Sequence, residues 1–149
     1  MKIFNTEFEV AMRLLILLDC IKVPIDEEKI LYLDFITVNA KNYNLSNENL
    51  NGDGLYMINE LITQRSLNKN SLKTLVLQDL ISVNLTNYGF VYFINKDGHN
   101  ICESMHSDYS AQYKLNAHYV INKIGQWSTQ KIKKFTKEME ENKNGIYKD

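Results

Sequence analysis

The chain has 149 residues, 44% hydrophobic and 23% charged, which is enough for an ordinary apolar core without a disulfide or metal staple. Its formal charge of −1 lacks the basic excess of a dedicated nucleic-acid binder. The apolar run 14–18 is bracketed by Arg13 and Asp19, far short of the ~20 residues a membrane span requires. Cys20 and Cys102 lie far apart in apolar surroundings without metal spacing, so both read as reduced core thiols of a cytoplasmic protein. The opening Met1-Lys2-Ile3-Phe4-Asn5 has no apolar region followed by small residues, so no signal peptide is expected.

Thr6 and Glu9 form a capping box, and a helix is expected from there through Ile21. It is apolar almost all round, with Glu9, Arg13 and Asp19 as polar exceptions, the composition of a helix buried on more than one side. Pro24 separates it from a second helix, which opens on Asp26, Glu27 and Glu28 and continues to about Ala40. Residues 41–54 read as a polar, Asn-rich loop, the segment expected to move most. Residues 55–79 are helical by phase, with Ile58, Leu61, Ile62, Leu72, Leu75, Val76 and Leu80 together. Pattern does not decide between one helix and a helix-turn-helix broken near 67–70, where Ser71 can cap a short second helix.

Ile81 and Val83 alternate as a strand does, 87–89 is a turn, and 90–94 is rich in β-branched and aromatic residues. Asp97 and Gly98 are read as closing that second strand. Helix, strand, turn, strand is the order of a winged-helix domain, an order that fixes a shape better than a job. Residues 100–105 form one or two helical turns. Ser107 or Asp108 caps a long helix that Gly125 ends. Ser128 starts a last helix through Met139, with Ile132 and Phe135 inward and Lys131, Lys133, Lys134 and Lys137 outward; the tail from Glu140 is expected to fray. The expected fold class is mostly α with a small β-hairpin, a winged-helix-like helical domain with a long C-terminal helix. Residues 1–106 make the helical domain with its helix–wing unit, and 107–149 the helices packing on it.

His99, His106 and His118 have no zinc spacing, and no nucleophile elbow, phosphate loop or dinucleotide fingerprint occurs. No catalytic, cofactor or metal residue is therefore assigned. Arg65, Lys69, Lys73 and Lys96 could line one side of the helix–wing unit and make weak nucleic-acid contacts, diluted by Asp79 and Asp97. Nine tyrosines and six phenylalanines suit either core packing or a protein interface. Arg13 and Asp34 are charges in otherwise apolar helices, at similar distances from the Pro24 turn. Three readings stand open: the two meet across the helix pair, face a partner together, or are two separately solvated side chains.

The opening Phe4-Asn5-Thr6-x-x-Glu9, then Arg13-Leu14, Leu17-Leu18, Pro24 and Ile30-Leu31-Tyr32-Leu33-Asp34, resembles the small middle component of bacterial ABC-three-component systems, which include the Lamassu-type phage defences. The likeness continues through Arg65-x-Leu67, Leu72, Leu75, Leu80-Ile81 and Ser107-Asp108-Tyr109-x-Ala111, with Trp127 beyond. It departs in the middle loop, Asn-rich here where relatives often carry His and Pro, and at Asn70, where relatives tend to have Gly. The resemblance implies a non-enzymatic subunit without cofactor, beside an SMC-like ABC ATPase and an effector, often a nuclease, restrained until phage or plasmid DNA is sensed. It places DNA contact in the complex rather than in this chain, and no membrane is involved. Phe4, Asn5, Arg13, Tyr32, Asp34 and Tyr109 are the candidate interface or structural residues. The alternative is a winged-helix DNA-binding transcription regulator. Such a protein is normally a basic-faced dimer with an ample recognition helix, whereas the spacing from Glu60 to Ile81 is about a turn short for one.

Overall fold

The computed structural model describes residues 6–50 and 57–147, with side chains described for 6–50 and 59–142. The elements run α1 (Glu7–Ile21), β1 (Ile25–Asp26), α2 (Glu27–Val38), a 3-10 turn (Ala40–Tyr43), α3 (Met57–Leu77), β2 (Ile81–Thr86), β3 (Gly89–Ile94), α4 (Lys96–Glu103), α5 (Asp108–Ile124) and α6 (Thr129–Tyr147). Mostly α with a small β part is thus the fold class. The β part is a three-stranded antiparallel sheet in the order β1-β3-β2, rather than a hairpin alone.

The caps are local chemistry. Thr6 accepts from the Glu9 N–H at 3.2 Å, Asp26 from that of Lys29 at 2.8 Å, and Ser107 from that of Ser110 at 3.0 Å. Between its caps α1 is apolar on nearly every side and becomes the axis of the core. Val10, Leu14, Leu15, Leu17 and Leu18 are at most 1% exposed, and α2, α3, α4, α5 and β3 all pack against this helix. Burying each such side chain is worth about 1.5–3 kcal/mol. Tyr113, Val120 and Ile124 of α5 and Ile132 of α6 close the core from the other side.

Several expectations are corrected. Of the two forms left open for the third helical segment, the single helix Met57–Leu77 is the one found. The cap read at Ser71 is corrected: Ser71 is fully buried within α3, and its hydroxyl donates to the Glu7 carbonyl at 3.3 Å. Leu61, Leu72 and Leu75 pack into the core and carry the helix through the weak formers Asn68 and Asn70. Asp97 and Gly98 do not close β3; they lie in the first turn of α4, which Asn95 caps by accepting from the Gly98 N–H at 2.8 Å. Gly98 is required there by close approach, since a Cβ would stand 2.2 Å from the Leu80 carbonyl oxygen and 2.7 Å from Ile94 Cγ1. α4 therefore begins at Lys96 rather than near residue 100. α2 ends at Val38 and passes into the 3-10 turn, while α6 runs on past Met139 to Tyr147.

The Asn-rich loop is pinned in its described part. Asn116, fully buried on α5, donates to the carbonyls of Thr37 at 3.2 Å and Glu48 at 3.0 Å, and accepts from Ser46 at 2.7 Å and Gln112 at 2.9 Å. Asn49 bridges the same loop, accepting from the Lys41 N–H and donating to Asn42 Oδ1. Glycines 52 and 54 lie outside the described residues.

Candidate functional site: a buried charge pair and the surfaces around it

The short connection through Pro24 returns α2 alongside α1, and Arg13 meets Asp34. Arg13 Nε donates to Asp34 Oδ1 at 3.1 Å and a terminal guanidinium nitrogen to Oδ2 at 3.0 Å, with both residues 2% exposed. This is the fork-on-carboxylate geometry that Lys cannot reproduce. Tyr113 reaches across from α5, its hydroxyl donating to Asp34 Oδ1 at 2.7 Å. Burial alone would push the guanidinium pKa down, but the charge and hydrogen bonds of Asp34 outweigh it and the net shift is upward. Burial first, and then the Asp34 charge, raise the Tyr113 hydroxyl well above its ordinary value, so it stays a neutral donor. One carboxylate thus ties three helices together.

Tyr109, one turn before Tyr113, belongs to the same neighbourhood. Burial raises its hydroxyl pKa and the nearby Arg13 opposes that shift. Outside the pair, a cavity of about 230 Å³ opens between α1 and the start of α5, lined by Phe8, Met12, Arg13, Ile16, Met105 and Tyr109 among others. Phe8 stands at its rim with 69% of its surface exposed. A second apolar surface lies at the far end of the hairpin, where Leu85 and Phe90 are cross-strand partners and both exposed, with Tyr88 between them in the turn.

Compared with protein-family models, residues 3–144 match the family described as ABC-three component (ABC-3C) system Middle Component 2. The chain belongs to this family. No match was found among curated proteins or among solved structures. The matched span takes in the buried pair, the sheet and all of α5.

The remaining sequence-predicted residues of this middle component fall in different settings. Phe4 and Asn5 lie outside the described residues. Tyr32 is half-buried on α2, and the Lys133 ammonium of α6 sits 5.8 Å from its ring centre. Of the four basic residues, Arg65 is held by Glu28, to which its guanidinium donates and which also pairs with Lys133 at 3.5 Å. Lys69, Lys73 and Lys96 are exposed. Arg65 is therefore engaged in linking α3 to α2, and the patch offers phosphate one cation fewer than its sequence suggests.

The thiols are poor nucleophiles as placed. Burial, then the Asp19 charge, pushes Cys20 up to about 11 and Cys102 up to about 12, so both keep their protons at neutral pH. No helix among the described residues is long and apolar enough to cross a membrane. Sequence reasoning missed Tyr113 and Asn116, the two polar anchors of α5. Tyr113 falls in the same helical phase as its apolar neighbours, so nothing in the pattern marks its hydroxyl as the third member of the Arg13–Asp34 group.

Proposed function

We propose that this middle component is a non-enzymatic regulatory subunit of a cytoplasmic anti-phage or anti-plasmid defence complex of the Lamassu type. In that complex it bridges an SMC-like ABC ATPase and an effector, often a nuclease. The observation that carries the reading is the family match over residues 3–144. Two features support it. The Arg13–Asp34–Tyr113 group has its charges paired inside the fold, where it joins three helices rather than presenting an acid or base to a substrate. The apolar cavity beside Phe8 and the hairpin end at Leu85, Tyr88 and Phe90 are exposed apolar surfaces of the kind that partners cover. ATP turnover and nucleic-acid cleavage belong to the partners, and DNA is reached through them.

Co-expression with the products of the neighbouring genes tests this. The tagged chain is expected to co-purify with an ATPase carrying long coiled coils and with the effector, and deletion of its gene to abolish protection against phage or plasmid. Recovery of the chain alone from cells expressing all three genes would overturn the reading. The isolated chain is expected to bind short duplex DNA weakly and with steep salt dependence. Sequence-selective binding at about 10 nM in physiological salt would instead establish a transcription regulator.

A further inference from the structure

The C-terminal end of α1 lies against α4, and a carboxylate of α1 meets an imidazole and a second carboxylate of α4 there. Asp19 is buried on α1, 7% exposed, with its Oδ1 2.7 Å from His99 Nδ1. On the other side of the same ring, His99 Nε2 lies 3.6 Å from Oε1 of Glu103, one turn further along α4. One ligand atom from each residue falls within 4.8 Å of the other two. We propose that Asp19, His99 and Glu103 form a binding site for a divalent transition-metal ion of the zinc class.

The roles follow from the two ring nitrogens. A carboxylate on Nδ1 fixes the proton there, orients the ring and leaves the Nε2 lone pair for a metal. Nε2 is the ring nitrogen on the Glu103 side. Two ligands of a tetrahedral zinc ion at about 2.0–2.1 Å stand roughly 3.3 Å apart. The 3.6 Å separation of Nε2 and Oε1 therefore needs an adjustment of only a few tenths of an ångström, and the Glu103 side chain, 60% exposed, is free to make it. His99 and Glu103 are four apart on one helix face, so α4 itself sets their spacing. The metal would take His99 Nε2 and Glu103 directly, with Asp19 as the orienting carboxylate and water completing the shell. A neighbouring cavity of about 250 Å³ is lined by the two carboxylates, Asp19 and Glu103, and by Cys102, His106 and Lys114 among others, but not by His99. Lys114 is outnumbered there by the two carboxylates. A metal at this point would tie α4, and with it the base of the hairpin that Asn95 holds, to the end of α1.

The spacing of the three histidines could not reveal this site, because Asp19 and His99 are 80 positions apart and only one histidine takes part. The test is titration of the chelator-treated full chain with zinc chloride alone, against a competing indicator and by thermal unfolding. One equivalent is expected to bind with micromolar to submillimolar affinity, as suits two direct protein ligands completed by water. At a hundredfold excess over Kd, the melting temperature is expected to rise by about 5 °C or more. His99→Ala and Glu103→Gln should each weaken binding at least tenfold, and Asp19→Asn about 10- to 100-fold. Cys20→Ser should leave binding unchanged. If His99→Ala fails to fold, Glu103→Gln decides alone, because its exposed side chain carries little of the fold. Absence of stoichiometric zinc binding, or binding that survives Glu103→Gln but is lost in Cys20→Ser, would overturn the proposal.

Discussion

Arg13 and Asp34, 21 positions apart in sequence, face each other across α1 and α2 through two N–H···O bonds and are sealed from solvent. The pair sits where an apolar contact would otherwise be expected. Its Coulombic gain is offset by the desolvation of two ions, so its main consequence is conditional: neither partner tolerates loss of the other. Tyr113 deepens that dependence by donating to the same carboxylate.

Arg13→Ala is accordingly expected to destabilise the chain by about 3 kcal/mol or more, because Asp34 is left as an uncompensated buried charge. Removing both charges together should cost less than the sum of the single changes, giving a coupling energy in a double-mutant cycle. Urea unfolding of the two single variants and the double variant measures this. Strict additivity would show that the pair is not coupled.

Alkaline pH should also weaken the fold. The Cys20 thiol rises from 9.0 to about 11 and the Tyr113 hydroxyl lies well above its ordinary value, each chiefly through burial. A group whose pKa is higher in the folded state keeps its proton longer when folded. Above the unfolded value the unfolded chain therefore binds fewer protons, and stability falls as pH rises. The contribution of Cys20 is complete below pH 9 and is lost on rising through about pH 11. Melting temperatures measured from pH 8 to 11 should decline across that window, and Cys20→Ala should flatten the decline. A level profile in the unmodified chain would contradict the assignment.

What could be read from the sequence was what is written locally. The Thr6 cap, the Pro24 break and the Gly125 stop each depend on a few adjacent residues and stand where they were expected. Of the two caps open for α5, Ser107 and Asp108, it is Ser107 that serves. The meeting of Arg13 with Asp34 was one of three readings, beside a shared partner-facing role and two separately solvated side chains. Features set by distant contacts were not legible. β1 is two residues long, too short for any period-2 pattern, and exists because Ile25 pairs with Tyr92. Asp97-Gly98 carries the usual signal of a turn, yet Asn95 captures the chain two residues earlier and starts a helix. The grouping of Asp19 with His99 and Glu103 depends on α4 docking on α1, which no spacing encodes.

Gly98→Ala should show how tightly the start of α4 packs on the base of the hairpin. The added Cβ meets the Leu80 carbonyl oxygen, a backbone atom that cannot rotate away, as well as Ile94 Cγ1. Alanine is otherwise the better helix former, so propensity alone predicts stabilisation. The clash should win and cost about 1–3 kcal/mol, with the first turn of α4 displaced from Leu80. Thermal unfolding gives the sign directly; a more stable Ala variant would show that the approach relaxes at little cost.

The last prediction concerns Asn116 and the loop it holds. Its amide uses both donor hydrogens on the Thr37 and Glu48 carbonyls, and its oxygen accepts from Ser46 and Gln112. It is fully buried, so water does not replace these partners in the native fold. Asn116→Ala removes all four bonds, and loss of a buried partner costs about 1–3 kcal/mol, while the gain in helix propensity is under 1 kcal/mol. The loss should be local as well as global. The Leu50 N–H, bonded to the Val38 carbonyl at 2.9 Å, should exchange with solvent markedly faster in the variant, whereas the α1 amides should follow global stability alone. Ser46→Ala breaks only one of the four bonds and should give a smaller effect of the same kind. Equal acceleration at Leu50 and throughout α1 would mean that Asn116 supports the core as a whole and does not tether the loop to α5.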